Sequence, residues 1–204
     1  MIIAVDGPAA SGKGTIARAL AAHFALPYLD TGLLYRAVGI ATLRAGGDPA
    51  DAGAALAACG FPASLLDDPA LREEVASRAA SHASAHPAVR QALFERQRAF
   101  ALQPGGAVLD GRDIGTVIAP DADAKLFVIA SPEARAARRA KDVPESYDTV
   151  LADIRARDER DSARAAAPLR RADEADLLDT TNLGIADAVQ QAIALVEAQV
   201  SRRS

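Results

Sequence analysis

The first fifteen residues constrain this chain more than any other stretch. Met1 to Asp6 is a short apolar run with the length of a buried strand. It ends in Gly7-Pro8-Ala9-Ala10-Ser11-Gly12-Lys13-Gly14-Thr15 and passes directly into the helical pattern IARALAAHFA. A glycine-bearing turn between strand and helix lets backbone N–H groups curl inward around an anion. The helix N-terminus adds its partial positive charge at the same point, and Lys13 supplies a flexible ammonium. Lys13 is one of only three lysines, with Lys125 and Lys141, among 23 basic residues.

Further strands follow at intervals. One precedes Asp30, two more read as Ala107 to Asp110 and Lys125 to Ala130, and a weaker last one as Asp176 to Asp179. Strands alternating with helical segments call for an α/β fold with a parallel sheet, helices on both faces and ligands at the carboxyl ends of the strands. Residues 31–101 are alanine-rich and mostly helical, broken near Gly46, Gly47 and Pro49 and again at 60–69, and read as an insert over the sheet edge. Residues 132–171 are so dense in arginines and acids that a core helix is not expected there. They read as a mobile basic cover. The 204 residues thus make a single domain, with a core of about 1–30, 102–131 and 172–204.

Composition excludes several classes of function. A formal net charge of -4 and a pI near 5.4 argue against binding a nucleic-acid polymer, so any nucleotide partner should be small and locally gripped. No run approaches the ~20 apolar residues of a membrane span, and the N-terminus lacks the features of a secretory leader. Cys59 is the only cysteine and is expected to be a small buried thiol, so no internal disulfide is available. A cytoplasmic monomer is the expectation. His82 and His86 lie one helical turn apart without an evident third ligand, so no zinc site is assigned.

The opening turn matches G-x-x-x-x-G-K in its required strand-to-helix context, which makes it a P-loop. Gly14 stands where a Ser or Thr is usual and the hydroxyl comes one residue later, at Thr15, so no direct metal ligand is assigned in the loop. G-K-G-T resembles the nucleoside monophosphate kinases more than the GTPases. The only asparagine, Asn182, is followed by Leu183, which rules out the N-K-x-D base reader.

Transfer between two anions requires that both be held, and arginines do this through bidentate geometry. In D-T-G-L-L-Y-R, Thr31 can cap a helix with Tyr35 and Arg36 one turn on. D-G-R-D-I-G, Asp110 to Gly115, follows a buried strand and therefore lies where substrates bind. Arg157, Asp161 and Arg164, at i, i+4 and i+7, share one face of a helix read as Tyr147 to Ser162. Each also has a plainer reading: an N-cap with surface side chains, a tight charged turn, or a solvated helix laced with ion pairs.

In this order, GPAASGKGT, DTGLLYR, SHASAHPAVRQALFERQR, LDGRDIGTV and RARDERDSARAAAPL resemble the bacterial cytidylate kinases over most of the chain. The resemblance implies a three-layer P-loop kinase fold with an acceptor-binding insert and an arginine-rich lid. It also implies transfer of a phosphoryl group from ATP, with Mg²⁺, to CMP or dCMP; UMP, AMP or a polyol is the alternative acceptor within the same fold. Residues Gly7, Pro8, Ala9, Ala10, Ser11, Gly12, Lys13, Gly14 and Thr15 would bind ATP. Thr31, Tyr35 and Arg36 would lie beside the acceptor, with Arg36 on its phosphate. Ser81, Arg90 and Asp113 would face cytosine. Asp110, Gly111 and Arg112 would line the same cleft, Arg157 and Asp161 address the sugar, and Arg164 a phosphate. Lys13, Arg36, Arg112 and Arg164 would carry the catalytic charge. Two departures stand out. Residues 57–73 lack the alternating strands of many family members, and the lid between Arg139 and Tyr147 is abbreviated, with Pro144 in its turn. Of Arg135, Arg138 and Arg139, one or two are expected on phosphates.

Overall fold

In the computed structural model, which describes residues 1–203, β1 (Ile2–Asp6), β2 (Tyr28–Asp30), β3 (Ala107–Gly111), β4 (Ala124–Ile129) and β5 (Asp176–Asp179) form one sheet in the order β2-β3-β1-β4-β5. The β1–β3, β1–β4 and β4–β5 pairings are parallel. The α/β expectation holds, with strand ends shifted by a residue: the strand expected from Lys125 to Ala130 runs from Ala124 to Ile129. Register puts Asp6, at the end of central β1, beside Gly111 on β3 and Phe127 on β4. The phosphate loop therefore leaves the sheet between the ends of two flanking strands.

The chain divides into two compact units, one of Met1–Leu29 and the chain from Phe100 onward, the other of Asp30–Ala99. In the first, the middle of β1 is apolar and buried on both faces, as a central parallel strand must be. Helix α1 (Lys13–His23) shows Ile16, Ala17, Leu20 and Ala21 as one stripe. It packs with Val108, Leu126, Val128 and Leu178 of the strands and with Ala188, Ala192 and Val196 of the last helix, α8 (Ile185–Arg203).

Residues 132–171 form α6 (Pro132–Arg139) and α7 (Tyr147–Ala163), capped by the hydroxyls of Ser131 and Ser146. These helices are not a wholly solvated cover. Ala136, Val150 and Ile154 make a small core between them, and Arg135 is buried because its charge is paired. A charge count along the sequence does not reveal such pairing.

The second unit holds α2 (Thr31–Arg44), α3 (Ala52–Ala57), α4 (Glu74–Ala83) and most of α5 (Pro87–Ala101). Residues 58–72 form three 3-10 turns, two of them followed by Asp68 or begun by it, and no strand. Leu34, Val38, Leu71, Ala80, Val89 and Leu93 make this unit's core. Cys59 is half-buried rather than buried, with its thiol 3.5 Å from the Ala55 carbonyl. His86 spends Nε2 on the Pro49 carbonyl at 3.1 Å.

Helices α2 and α4 touch through small residues. A Cβ on Gly39 would lie 2.6 Å from Ala79 Cβ and 3.0 Å from the Ala79 carbonyl carbon. Gly39→Leu is therefore expected to lower stability by about 2 kcal/mol or more, overpacking outweighing the ~1 kcal/mol gained in helix propensity. Nothing lies within 4 Å of a Cβ on Gly60, so Gly60→Ala should leave stability within ~0.5 kcal/mol of wild type. Urea titration of both variants checks the pair, and equal stabilities would contradict the close helix contact.

Candidate active site

The phosphate loop depends on backbone conformations open mainly to glycine. Gly7, at φ 152°, passes so close to β4 that a Cβ would lie 2.0 Å from the Val128 carbonyl oxygen. Ala10 and Gly12 are left-handed, at φ 59° and 88°. The Gly12 carbonyl accepts from the N–H groups of Thr15 and Ile16, both at 3.1 Å. No side chain caps α1, so its first N–H groups stay available to an anion. Two other loop carbonyls turn away from that point. Ala9 O accepts from Arg135 Nη1 at 3.2 Å, and Ser11 O from Thr180 Oγ1 at 2.9 Å.

Carboxylates stand behind the loop. Lys13 Nζ lies 3.5 Å from Asp110 Oδ1, while Tyr28 donates its hydroxyl to Asp110 Oδ2 at 3.3 Å. The unusual Gly14 has a local cause: a Cβ there would approach Asp110 Oδ2 to 3.0 Å, crowding the carboxylate paired with Lys13. Asp6 accepts from the N–H groups of Ile114 and Gly115, each at 2.8 Å, and so fixes the π-helical turn Ile114–Ile118 that follows the D-G-R-D segment. Burial, with help from the carboxylates of Asp113 and Asp110, pushes the Asp6 carboxyl from 3.8 up to about 7 against the pull of those two donors.

The arginines converge on α7. Asp161, 3% exposed, accepts from Arg112 Nε at 2.9 Å and from Arg164. Burial alone would raise its carboxyl, yet Arg112, Arg164 and Arg157 together bring it down to about 2. The i, i+4, i+7 spacing thus does gather Arg157 and Asp161 with Arg164, the residue that caps the end of α7, and the fold brings Arg112 to them from the end of β3. Two guanidinium groups bonded to one carboxylate, with the charge of Arg157 nearby, leave surplus positive charge suited to a phosphate. Arg138 is spent on Thr180 and Thr181, and Arg135 on protein acceptors, so neither of these two lid arginines is held towards a nucleotide here.

In the second unit the cap of α2 is Asp30, not Thr31. Asp30 is extended, at φ -78° and ψ 98°, and its carboxylate accepts from Leu33 N at 3.2 Å, whereas Thr31 is already helical and buried. The same carboxylate binds Arg36. Tyr35 and Arg90 meet through the ring face, 5.4 Å from guanidinium carbon to centroid. Arg90 also donates to the Ser84 carbonyl at 3.3 Å, and Ser84 Oγ donates to that of Ser81. Sequence reasoning missed Asp30, Asp6, Thr180 and the Arg135 contacts. Only Asp30, directly before the helical pattern, carried a local signal as an N-cap.

A loop with uncapped helix N–H groups and an ammonium at its rim, and an arginine cluster in the same unit, have the charge that moving a phosphoryl group between two phosphates demands. The first unit is that of a P-loop phosphotransferase. The family model for cytidylate kinase matches residues 3–198. A cytidylate kinase of Xanthobacter autotrophicus is 58% identical, with 100% of both chains covered. Those of Methylobacterium sp. and Azorhizobium caulinodans are 58% and 56% identical, covering 98% and 97% of this chain and 98% of each relative. This chain belongs to the cytidylate kinase family. Two solved structures share its fold alone. An uncharacterized protein from Eubacterium ventriosum has a TM-score of 0.60 at 13% identity, with 97% of this chain and 99% of that one covered. A sugar kinase from Janibacter sp. has 0.51 at 17%, with 98% and 96% covered.

Folded Asp6 keeps its proton to about pH 7, while an unfolded chain releases it near 3.8. The folded state therefore binds more protons between those values, and stability falls as pH rises through the window. One proton sets the slope at no more than about 1.4 kcal/mol per pH unit. Urea unfolding from pH 5 to 7.5 is expected to show this decline in wild type and a flatter profile in Asp6→Asn, and parallel profiles would remove Asp6 as its source. Asp161 acts in the opposite sense, its stabilisation fading only as pH falls from 3.8 towards about 2.

Proposed function

We propose that the chain transfers the γ-phosphate of ATP to CMP or dCMP, giving CDP or dCDP and ADP, as a monomer acting on free nucleotides in the cytoplasm. One observation carries the transfer: a phosphate loop with Lys13 and an arginine cluster on Asp161 stand in the same unit. Family membership then names the acceptor. Among the described residues no helix is long and apolar enough to cross a membrane.

The roles are those that the family resemblance implies, and charge supports the phosphate-binding ones. Gly7 to Thr15 would cradle the ATP phosphates, with Lys13 following the transferred group. Arg36, Arg112 and Arg164 would offset charge on the acceptor phosphate and in the transition state, with Arg157 and Asp161 on the sugar. Phosphoryl transfer asks little covalent chemistry of the protein beyond in-line positioning and neutralisation. Among the described residues no group of three or more carboxylate, histidine or cysteine side chains forms a metal cage. Mg²⁺ bound with a nucleotide keeps several waters and takes phosphate oxygens, so it asks the protein for only one or two carboxylates. Asp110, paired with Lys13, would take the protein side, and the metal would supply neutralisation of phosphate charge.

Asp113, Arg90 and Ser81 would read the base. A carboxylate accepts from N4 of cytosine but meets O4 of uracil with repulsion, and an arginine donates to N3 or O2 of cytosine but not to N3–H of uracil. Each unpaired buried group costs about 1 to 3 kcal/mol, so two mismatches favour CMP over UMP by roughly 100-fold in kcat/KM.

A screen of CMP, dCMP, UMP and AMP with Mg-ATP tests the reading, and faster turnover of UMP or AMP than of CMP would overturn it. Lys13→Ala should lower kcat on the order of 100-fold with the fold intact. Retention of more than about a tenth of wild-type turnover would contradict the role of the loop. Asp113→Ala should lower kcat/KM for CMP more than for UMP, and an unchanged ratio removes Asp113 from base reading.

A further inference from the structure

Arg135 is 2% exposed and has no evident task in the reaction proposed above. Its Nε donates to the Ala130 carbonyl just past β4 at 2.9 Å, and its Nη1 to the Ala9 carbonyl of the phosphate loop at 3.2 Å. The same guanidinium forks onto Asp158 of α7, Nη1 to Oδ1 at 2.9 Å and Nη2 to Oδ2 at 2.5 Å. One planar, permanently charged group thus joins the loop that would hold ATP to the helix that carries Arg157 and Asp161 and ends at Arg164.

The geometry is stiff at every joint. A bidentate guanidinium–carboxylate pair fixes orientation as well as distance. Asp158 is the neighbour of Arg157 and lies one turn before Asp161. Beside Arg135 on α6, Ala136 packs with Val150 and Ile154, which share a face of α7 with Asp158, so the apolar contact and the ion pair hold the two helices along one seam. Any shift of the Ala9 peptide would be felt at Arg135, and through Asp158 along α7.

We infer that Arg135 and Asp158 are positioning residues whose ion pair couples occupancy of the phosphate loop to the placement of the acceptor-binding side chains of α7. Each nucleotide then binds tighter when the other is present. This rests on the reading of the chain as an ATP-dependent CMP kinase. Coupling between two sites is reciprocal in binding free energy and typically amounts to about 5- to 150-fold. A pair that served only folding would lower stability and leave that factor unchanged.

The test is calorimetric titration of CMP into the enzyme with and without a saturating non-hydrolysable ATP analogue, for wild type, Arg135→Lys, Asp158→Asn and the double variant. Lysine keeps the charge but lacks the fork, and asparagine keeps the shape at the more exposed end of the pair. Wild type is expected to bind CMP at least about 5-fold tighter with the analogue. Either single substitution should bring that factor to within about 2-fold of unity, the double variant should match the singles, and CMP affinity without the analogue should change less than about 3-fold. Should Arg135→Lys fail to fold, Asp158→Asn alone decides. Full coupling in the folded variants, or none in wild type, overturns the inference. Turnover of CMP by wild type is measured alongside: its absence would sink the kinase reading and the coupling with it, whereas turnover with unaltered coupling sinks the coupling alone.

Discussion

A loop that presents its N–H groups to an anion must turn its carbonyls the other way, and a carbonyl turned into protein needs a donor there. In this chain those donors are Arg135 for Ala9 and Thr180 for Ser11, from positions more than a hundred residues along. Thr180 is itself held, since Arg138 donates to its carbonyl and hydroxyl. Gly7 completes the arrangement from below, because only a residue without Cβ can lie on the Val128 carbonyl. The left-handed turns at Ala10 and Gly12 are conformations that cost free energy outside glycine, and they persist because the carbonyls on either side are fixed. The helix dipole of α1 acts at the right point only as long as this outer ring of donors holds.

Charge is managed in the same unit by deliberate imbalance. Asp161 is outnumbered by arginines, which keeps it ionised deep in the protein and keeps the arginines from dispersing. A buried charge is tolerable when paired and hydrogen-bonded, and each arginine here has a defined place before any phosphate arrives. Around the loop the imbalance runs the other way. Asp6, Asp110 and Asp113 are all buried, with Lys13 paired to one of them. Asp6 resolves part of that crowding by favouring its protonated form and by accepting two backbone N–H groups. It thereby ties the end of β1 to the turn after β3, so the loop and the D-G-R-D segment share one anchor.

The second unit repeats the device on a smaller scale. Asp30 uses one oxygen to cap α2 and the other to hold Arg36, so the helix start and the arginine one turn on are set by a single carboxylate. Arg90 lies over the Tyr35 ring and donates into the backbone of the α4 terminus, which gives a long, flexible side chain one position. Preorganised side chains of this kind lose little conformational freedom when a ligand binds.

Local pattern was enough to read the strand–loop–helix opening, the parallel strands near 107, 125 and 176, and the residue types at each candidate position, because apolar runs, glycine-rich turns and helical spacing are short-range properties of the chain. It was enough, too, for the gathering of Arg157, Asp161 and Arg164, although Arg164 reaches Asp161 from just past the helix end and not from its face. What lay beyond it were contacts between distant segments. That Arg112 reaches Asp161, that Asp6 holds residues 114 and 115, that Arg135 is buried among Ala9, Ala130 and Asp158 instead of lying in a solvated cover, and that Gly14 makes room for Asp110 all depend on which side chains the sheet order brings together. The residue types at the site follow from the sequence alone; their partners, and hence their charge states, were decided by the tertiary structure, because burial and pairing arise only when segments a hundred residues apart are packed side by side.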